Sequence, residues 1–320
     1  MATSGSTNFD STVQEIIADS YAMINVYGAD ENPSAEDAAL ARRVLNRMIK
    51  SWAAQELHLW KKSTATIFLQ KDQASYTLAS TGDHATLSYT ETTLSADEAI
   101  GQVTLSVTSS SGMTVGDYIA VENDDNELAW STITVIPDAT SVTINDALTV
   151  AASEDAKVYA YTTRLDRPFN VLSAVRESES ATDVPMNALS YESYFQLPNK
   201  TSTGIPVSYN YDRQKDSAVI RIWPVPANVE NLMKITITER IEDVDSVSNT
   251  MDFPQEWLEA IVLNLAVRLA PSFGRAGNNN FMEIKAQAAE ALNLALGFDN
   301  EPGSIYIQPD NDGMGDYGRP

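Results

Sequence analysis

Residues 253–274 read FPQEWLEAIVLNLAVRLAPSFG, and the placing of apolar residues in that stretch decides how the chain is assembled. Trp257, Leu258, Ile261, Val262, Leu265 and Leu269 recur at helical spacing and form a wide apolar stripe. Pro254 suits a first helical turn, where its missing N–H costs nothing, and Pro271 followed by Gly274 stops the run. Leu263 and Val267 add apolar surface on a second side, so at least two other elements must flank this core helix. The strong candidates lie at the opposite end of the sequence. Both chain ends then meet in one helical base, and everything between them is an excursion from it.

The N-terminal segment supplies the partners. From Asp10 to Val26 the residues Val13, Ile16, Ile17, Ser20 or Tyr21, and Ile24 keep helical spacing, with Ser11 and Gln14 spaced as a capping box. After the loop YGADENPS, Ser34 caps a second helix whose inner face is Ala38, Ala41, Leu45, Met48 and Trp52, supported by Val44 and Ile49. A short loop makes the two helices antiparallel neighbours. Arg42, Arg43, Arg47 and Lys50 share one side of the second helix, a basic patch that suits a subunit junction or a channel-facing surface; the plainer reading is a solvated face. A last helix carries Phe281, Ile284, Ala288, Ala291, Leu292 and Ala295 and ends at Gly297.

Past Lys62 the period changes to two. TATIFL and ASYTL open a sheet, and PVSYNY, SAVIRIWPVP and LMKITITER resume it, the last alternating Met233, Ile235 and Ile237 against Lys234, Thr236 and Thr238. RLDRPFNVLSAVRE adds a strand, and SYESYFQ a short capped helix. Between them residues 80–162 shift to Thr, Ser, Val and Asp, with strands expected at Val103–Val107, Asp117–Glu122, Leu128–Ile136, Ser141–Ile144 and Lys157–Thr162. That stretch holds thirteen acids against Lys157 alone, a net −12 of the chain's −23, which sets it apart as a separate module projecting toward solvent or a partner. The expected fold is α+β. Residues 1–62 plus 253–297 form the helical base, 63–79 plus 163–252 a β-rich domain, 80–162 an inserted acidic all-β module, and 298–320 an extended tail whose one apolar patch is Ile305, Tyr306 and Ile307.

With 320 residues and 43% hydrophobic content the chain can bury a real core. A pI near 4.3 argues against gripping nucleic acid through its phosphates, yet an acidic wall suits a channel through which DNA slides. There is no cysteine, and two histidines cannot by themselves make a zinc site. His58 reads as a polar helix-end residue and His84, in TGDHAT, as a turn histidine. The sequence contains no G-x-S-x-G, Walker-type loop or dinucleotide fingerprint. Of the acidic runs ENDDNE and DNDGMGD, the second lacks the register of a calcium loop, and a hairpin turn and a solvated tail explain the two, so no metal, cofactor or catalytic residue is expected. MATSGSTNFDST has no signal-peptide pattern and no apolar run approaches the ~18–20 residues that cross a bilayer, which reads as a membrane-free protein made in the cytoplasm.

Several phrases in this order resemble the head-to-tail adaptor (head-completion, or packaged-DNA-stabilisation) proteins of tailed bacteriophages, of the short-tailed type. They are ENPSAEDAALARRVLNRMIKSWAAQELHLW, LSYESYFQLPNKTSTGIP with YNYD and IRIWPVP, and the opening FPQEWLEAIVLNLAVRLAPSFG. VGDYIAVENDDNELAWSTITVI with AKVYAYTTRLDRPFNV is similar to an insert of longer members; the shortest lack it. The resemblance implies a structural virion protein at the portal vertex between capsid and tail. It would be one subunit of a dodecameric ring docked beneath the portal protein, extending the channel for double-stranded DNA without reading its sequence. The ring would help retain packaged DNA and offer a platform to the tail nozzle or next tail component. On that reading Ile305, Tyr306 and Ile307 dock on the portal. A rival class is a carbohydrate- or receptor-binding module using Trp130, Tyr159 and Tyr161 of the insert. A peptidoglycan hydrolase ranks last because the chain offers no proton-transfer constellation.

Overall fold

The computed structural model describes residues 9–28, 31–54, 61–278 and 280–298. The fold is α+β, in two compact units divided after Leu59 and after Ile241.

The helical unit holds α1 (Val13–Met23), α2 (Ala35–Ala53), α4 (Leu258–Leu269) and α5 (Phe281–Phe298). Here α4 is the hub, packed by α1, α2 and α5. Trp257, Ile261, Leu265 and Leu269 are at most 1% exposed and Leu258 is 9% exposed, which is why three neighbours are needed. A 3-10 turn, Gln255–Trp257, leads into α4, another, Ala270–Phe273, follows it, and Gly274 closes the run at φ 67°, a left-handed conformation that glycine adopts without a Cβ clash. Polar contacts fix the helices' approach. Ser20 Oγ lies 2.7 Å from the Ile16 carbonyl and 3.0 Å from that of Val262, and Asn264 donates to the carbonyls of Ala260 and Ala288 at 2.8 and 3.0 Å.

The cap of α1 differs from expectation by one residue. Thr12 and Glu15, not Ser11 and Gln14, form the capping box, with Thr12 N–H donating to Glu15 at 2.8 Å. A carboxylate is the better acceptor facing the positive end of a helix dipole. The register is also set from far along the chain, because the first N–H groups of α1, Val13 and Gln14, donate to the carbonyls of Asn249 and Val247 at 3.0 and 2.9 Å. Residues 242–252 thereby belong to the helical unit rather than to the β-rich domain where the sequence reading put them. Phe298 closes α5, one residue inside the expected tail.

The other unit is built from strands. In chain order they are β1 (Lys62–Phe68), β2 (Ser75–Leu78), β3 (Ala85–Thr86), β4 (Thr90–Thr93), β5 (Thr104–Ser106), β6 (Tyr118–Glu122), β7 (Leu128–Asp138), β8 (Ser141–Ile144), β9 (Lys157–Tyr161), β10 (Asn170–Glu177), β11 (Asp183–Pro185) and β12 (Asn187–Ala188). The short helix α3 (Tyr191–Phe195) then precedes β13 (Thr203–Gly204), β14 (Ser208–Arg213), β15 (Ala218–Trp223), β16 (Val225–Pro226) and β17 (Leu232–Thr238). A five-stranded sheet in the order β11-β10-β17-β1-β3 faces a four-stranded sheet, β12-β14-β15-β2, across a core that includes Ile67, Tyr76, Ile220, Ile222, Met233, Ile235 and Ile237. The insert forms a six-stranded antiparallel sheet, β4-β9-β6-β7-β8-β5, around its own core of Leu105, Val121, Ile133, Val142 and Val158 among others.

The insert does not stand apart from the main core as its charge suggested. Alternate residues on the junction strands go to different cores, as a period of two requires. Ile67 and Met233 face the four-stranded sheet, whereas Phe68 and Leu232 meet Ala120, Leu128, Tyr159 and Tyr161 of the insert. On β9, Val158 and Ala160 enter the insert's core while Tyr159 and Tyr161 enter this shared layer. The result is three stacked layers with the five-stranded sheet in the middle. Charge patterning reported the insert's solvent faces and could not report the aromatic face beneath them.

Candidate functional site

The basic patch on α2 is divided by its surroundings. Arg42 donates to the carbonyl of Asp245, and Asn46 both donates to the Val244 carbonyl at 2.8 Å and accepts its N–H at 2.9 Å. Lys50 pairs with Asp243 at 2.8 Å. Arg42 and Lys50 therefore hold the segment that leads back from the sheets. Arg43 and Arg47 are exposed, and among the described residues neither has a hydrogen bond or ion pair. Two guanidinium groups four residues apart on one helix repel by a few tenths of a kcal/mol, so this half of the patch is open to an acidic partner or a phosphate. Ile305, Tyr306, Ile307 and His58 lie outside the described residues, as does DNDGMGD.

Two of the three insert aromatics on which a carbohydrate-binding reading rests are buried. Tyr159 and Tyr161 are 2% and 3% exposed, and Trp130 is half-buried. Phe68 packs against the rings of Tyr89, Trp130, Tyr159 and Tyr161 at centroid distances of 5.2–5.8 Å. His84, expected as a turn residue, lies flat on the Trp130 ring at 3.5 Å and shares a 2.7 Å hydrogen bond with the Tyr161 hydroxyl. Arg164 covers the Tyr118 ring at 4.4 Å and donates to the Gly82 carbonyl at 2.7 Å. Burial, reinforced by the Arg164 charge, lowers the His84 pKa to about 3, and burial pushes the Tyr161 hydroxyl up to about 12 against the opposing pull of Arg164. Neither group exchanges protons near neutral pH. This cluster mortars two layers together.

ENDDNE is a turn. Asn123 Oδ1 accepts the N–H groups of Asp125 and Glu127 at 3.1 and 3.0 Å, and no group of three or more metal-ligating side chains occurs among the described residues.

A site that the sequence reading passed over surrounds α3. Ser190 caps this helix, Tyr194 is buried beneath it, and the rings of Tyr191 and Phe195, one turn apart, meet at a tilt of 41° with centroids 4.5 Å apart while remaining 57% and 45% exposed. Arg221, on the outward face of β15, lies 5.8 and 5.5 Å from the two rings and is paired with Asp212 at 3.0 Å. Ile205 and Val207, in the stretch leading into β14, are also exposed. The signal in the sequence was the spacing of the two aromatic residues in SYESYF, on a helix too short to show a stripe.

No family model matches the chain, and no curated protein matches it. Among solved structures, VP17, a capsid protein of bacteriophage P23-77, is similar over 57% of this chain and 76% of its own, at 11% identity and a TM-score of 0.12, a likeness that carries no argument about fold or role.

Proposed function

We propose that the chain is a structural subunit of a tailed-phage virion, a head-to-tail adaptor that docks in a ring beneath the portal protein. The observation that supports this reading most is the closure of both chain ends on α4, since those ends carry two of the three stretches that resemble the adaptor family. A base closed in this way leaves the sheets to meet other subunits, and the ring would be dodecameric, extend the channel for passing double-stranded DNA and present a platform to the tail nozzle or next tail component. The chain's −23 charge suits a wall along which DNA slides, and Arg43 and Arg47 supply a restricted cationic point within it. The role is non-catalytic and needs no cofactor.

Native mass spectrometry of the full chain mixed with a purified portal ring tests this. Stoichiometric addition to the ring is expected, and absence of binding with both partners folded refutes it. Deleting residues 299–320 should abolish addition if Ile305, Tyr306 and Ile307 dock on the portal. Reversing Arg43 and Arg47 to Glu should weaken ring assembly or DNA retention without changing stability; intact assembly and retention would reduce them to solvated residues.

A further inference from the structure

One rim of the sandwich gathers arginines from three strand ends. Arg213 closes β14, Arg240 lies just beyond the end of β17, and Arg167 precedes β10, whose first residue, Asn170, pairs with Thr238, the last of β17. Phe169 N–H donates to the Thr238 carbonyl at 2.8 Å and so ties the entry of β10 to the exit of β17. Arg213 comes from the opposing sheet. It shares a face with Tyr209 and Tyr211, which pack on the sandwich core, while Asn210 and Asp212 turn outward to Arg221.

Tyr211 marks where these ends meet, its hydroxyl donating to the Pro168 carbonyl at 2.8 Å. Burial pushes that hydroxyl up to about 12, and the charges that oppose the shift are those of Arg167, Arg213 and Arg240, with no carboxylate among them. Among the described residues none of the three guanidinium groups has an ion pair or a hydrogen bond. The acids that border the rim are placed otherwise. Asp166 accepts the Arg167 backbone N–H at 2.9 Å, Asp212 is held by Arg221 at 3.0 Å, Asp216 lies in the turn between β14 and β15, and Glu239 follows β17 without pairing with an arginine. Arg213 and Arg240 are exposed, whereas Arg167 is half-buried with its Nε enclosed and unpartnered. A partly desolvated cation without a counter-ion is unfavourable, and a bound anion would relieve it.

We propose that this rim is a binding site for a phosphate group, held by Arg167, Arg213 and Arg240. A carboxylate satisfies one guanidinium through two parallel bonds, whereas a phosphate carries enough acceptor oxygens to engage three. The chain's −23 charge opposes long-range approach by any anion, so the affinity has to come from this local convergence of unpaired guanidinium groups rather than from net attraction. The phosphate belongs either to a free ion or to a nucleic-acid backbone. The site does not depend on the adaptor reading, which portal binding tests separately.

The test is isothermal titration calorimetry with sodium pyrophosphate at about 50 mM salt, on the full-length protein and two charge-matched double variants. Arg213→Gln with Arg240→Gln removes the exposed pair at the rim. Arg268→Gln with Lys285→Gln removes two exposed cations of the helical unit. Wild type should bind saturably at one site per chain, the rim variant roughly tenfold more weakly or not at all, and the helical variant like wild type. All four substitutions are at exposed positions, so the three proteins should unfold at the same urea concentration. Wild type without saturable binding, a rim variant that binds like wild type, or equal losses in the two variants would each overturn the site. A short DNA duplex titrated in the same way separates the two sources. Duplex binding that pyrophosphate displaces and the rim variant loses assigns the phosphate to a nucleic-acid backbone, whereas rim-dependent binding of pyrophosphate alone assigns it to a free ion.

Discussion

Lowering the pH from 7.5 to 5.0 should cost the folded chain about 2 kcal/mol through His84 alone. In the folded state the ring lies on Trp130 with its Nδ1 held by the Tyr161 hydroxyl, and burial with the nearby Arg164 charge sets its pKa at about 3. Unfolded, the same imidazole titrates near 6.5. Between those values the unfolded chain binds a proton that the folded chain refuses, so stability is fully present above the unfolded pKa and is lost as pH falls toward the folded one. Each pH unit below 6.5 costs about 1.4 kcal/mol, and 1.5 units give about 2. The figure at pH 5 is insensitive to the folded pKa, since any value below about 4 yields nearly the whole amount. Urea unfolding of the wild type and His84→Gln at both pH values isolates the effect, because carboxylate contributions cancel between the two proteins. The wild type should lose about 2 kcal/mol more than the variant. Equal losses would mean that the folded chain protonates His84 as easily as the unfolded one, and the stacked, enclosed ring would be refuted.

Other perturbations read the packing directly. Leu265→Ala, at the buried centre of α4, should cost about 2–5 kcal/mol, whereas Leu294→Ala on the exposed side of α5 should stay within about 0.5; similar values would contradict the orientation of the helices in urea titrations. Asn46→Ala breaks both bonds to Val244 and should cost about 1–3 kcal/mol, while Lys50→Ala, which removes a solvent-exposed ion pair with Asp243, should cost less than about 1. Phe68→Ala empties the layer between sandwich and insert and should cost about 3–5 kcal/mol; a loss below 1 kcal/mol would show that the insert is not cemented there.

The spacing of apolar residues was enough to place α1, α2, α4, α5 and most strands. Ser141–Ile144 and the alternation of Met233, Ile235 and Ile237 stand where their periods put them, because each buries one face and leaves the other wet. KVYAY in β9 is different. Its alternate residues are apolar or aromatic on both sides, so the sequence marks it as a strand without telling which layers it joins, and its tyrosines pass equally well for exposed ligands. The candidate site was legible only in part. A basic face on α2 follows from helical spacing, but its division into Arg42 and Lys50, which hold the returning chain, and Arg43 and Arg47, which remain open, depends on where residues 243–245 lie.

The sequence by itself determined the local periods, the overall charge and the meeting of the two chain ends, since all three follow from the order of side chains along the backbone. The tertiary structure alone decided that the acidic insert shares a layer with the sandwich, that His84 is a neutral mortar residue, and that the aromatic pair of α3 stays on the surface. Those facts depend on which face of one element meets which face of another across tens of residues, and a short helix or a doubly buried strand carries no period that could encode it.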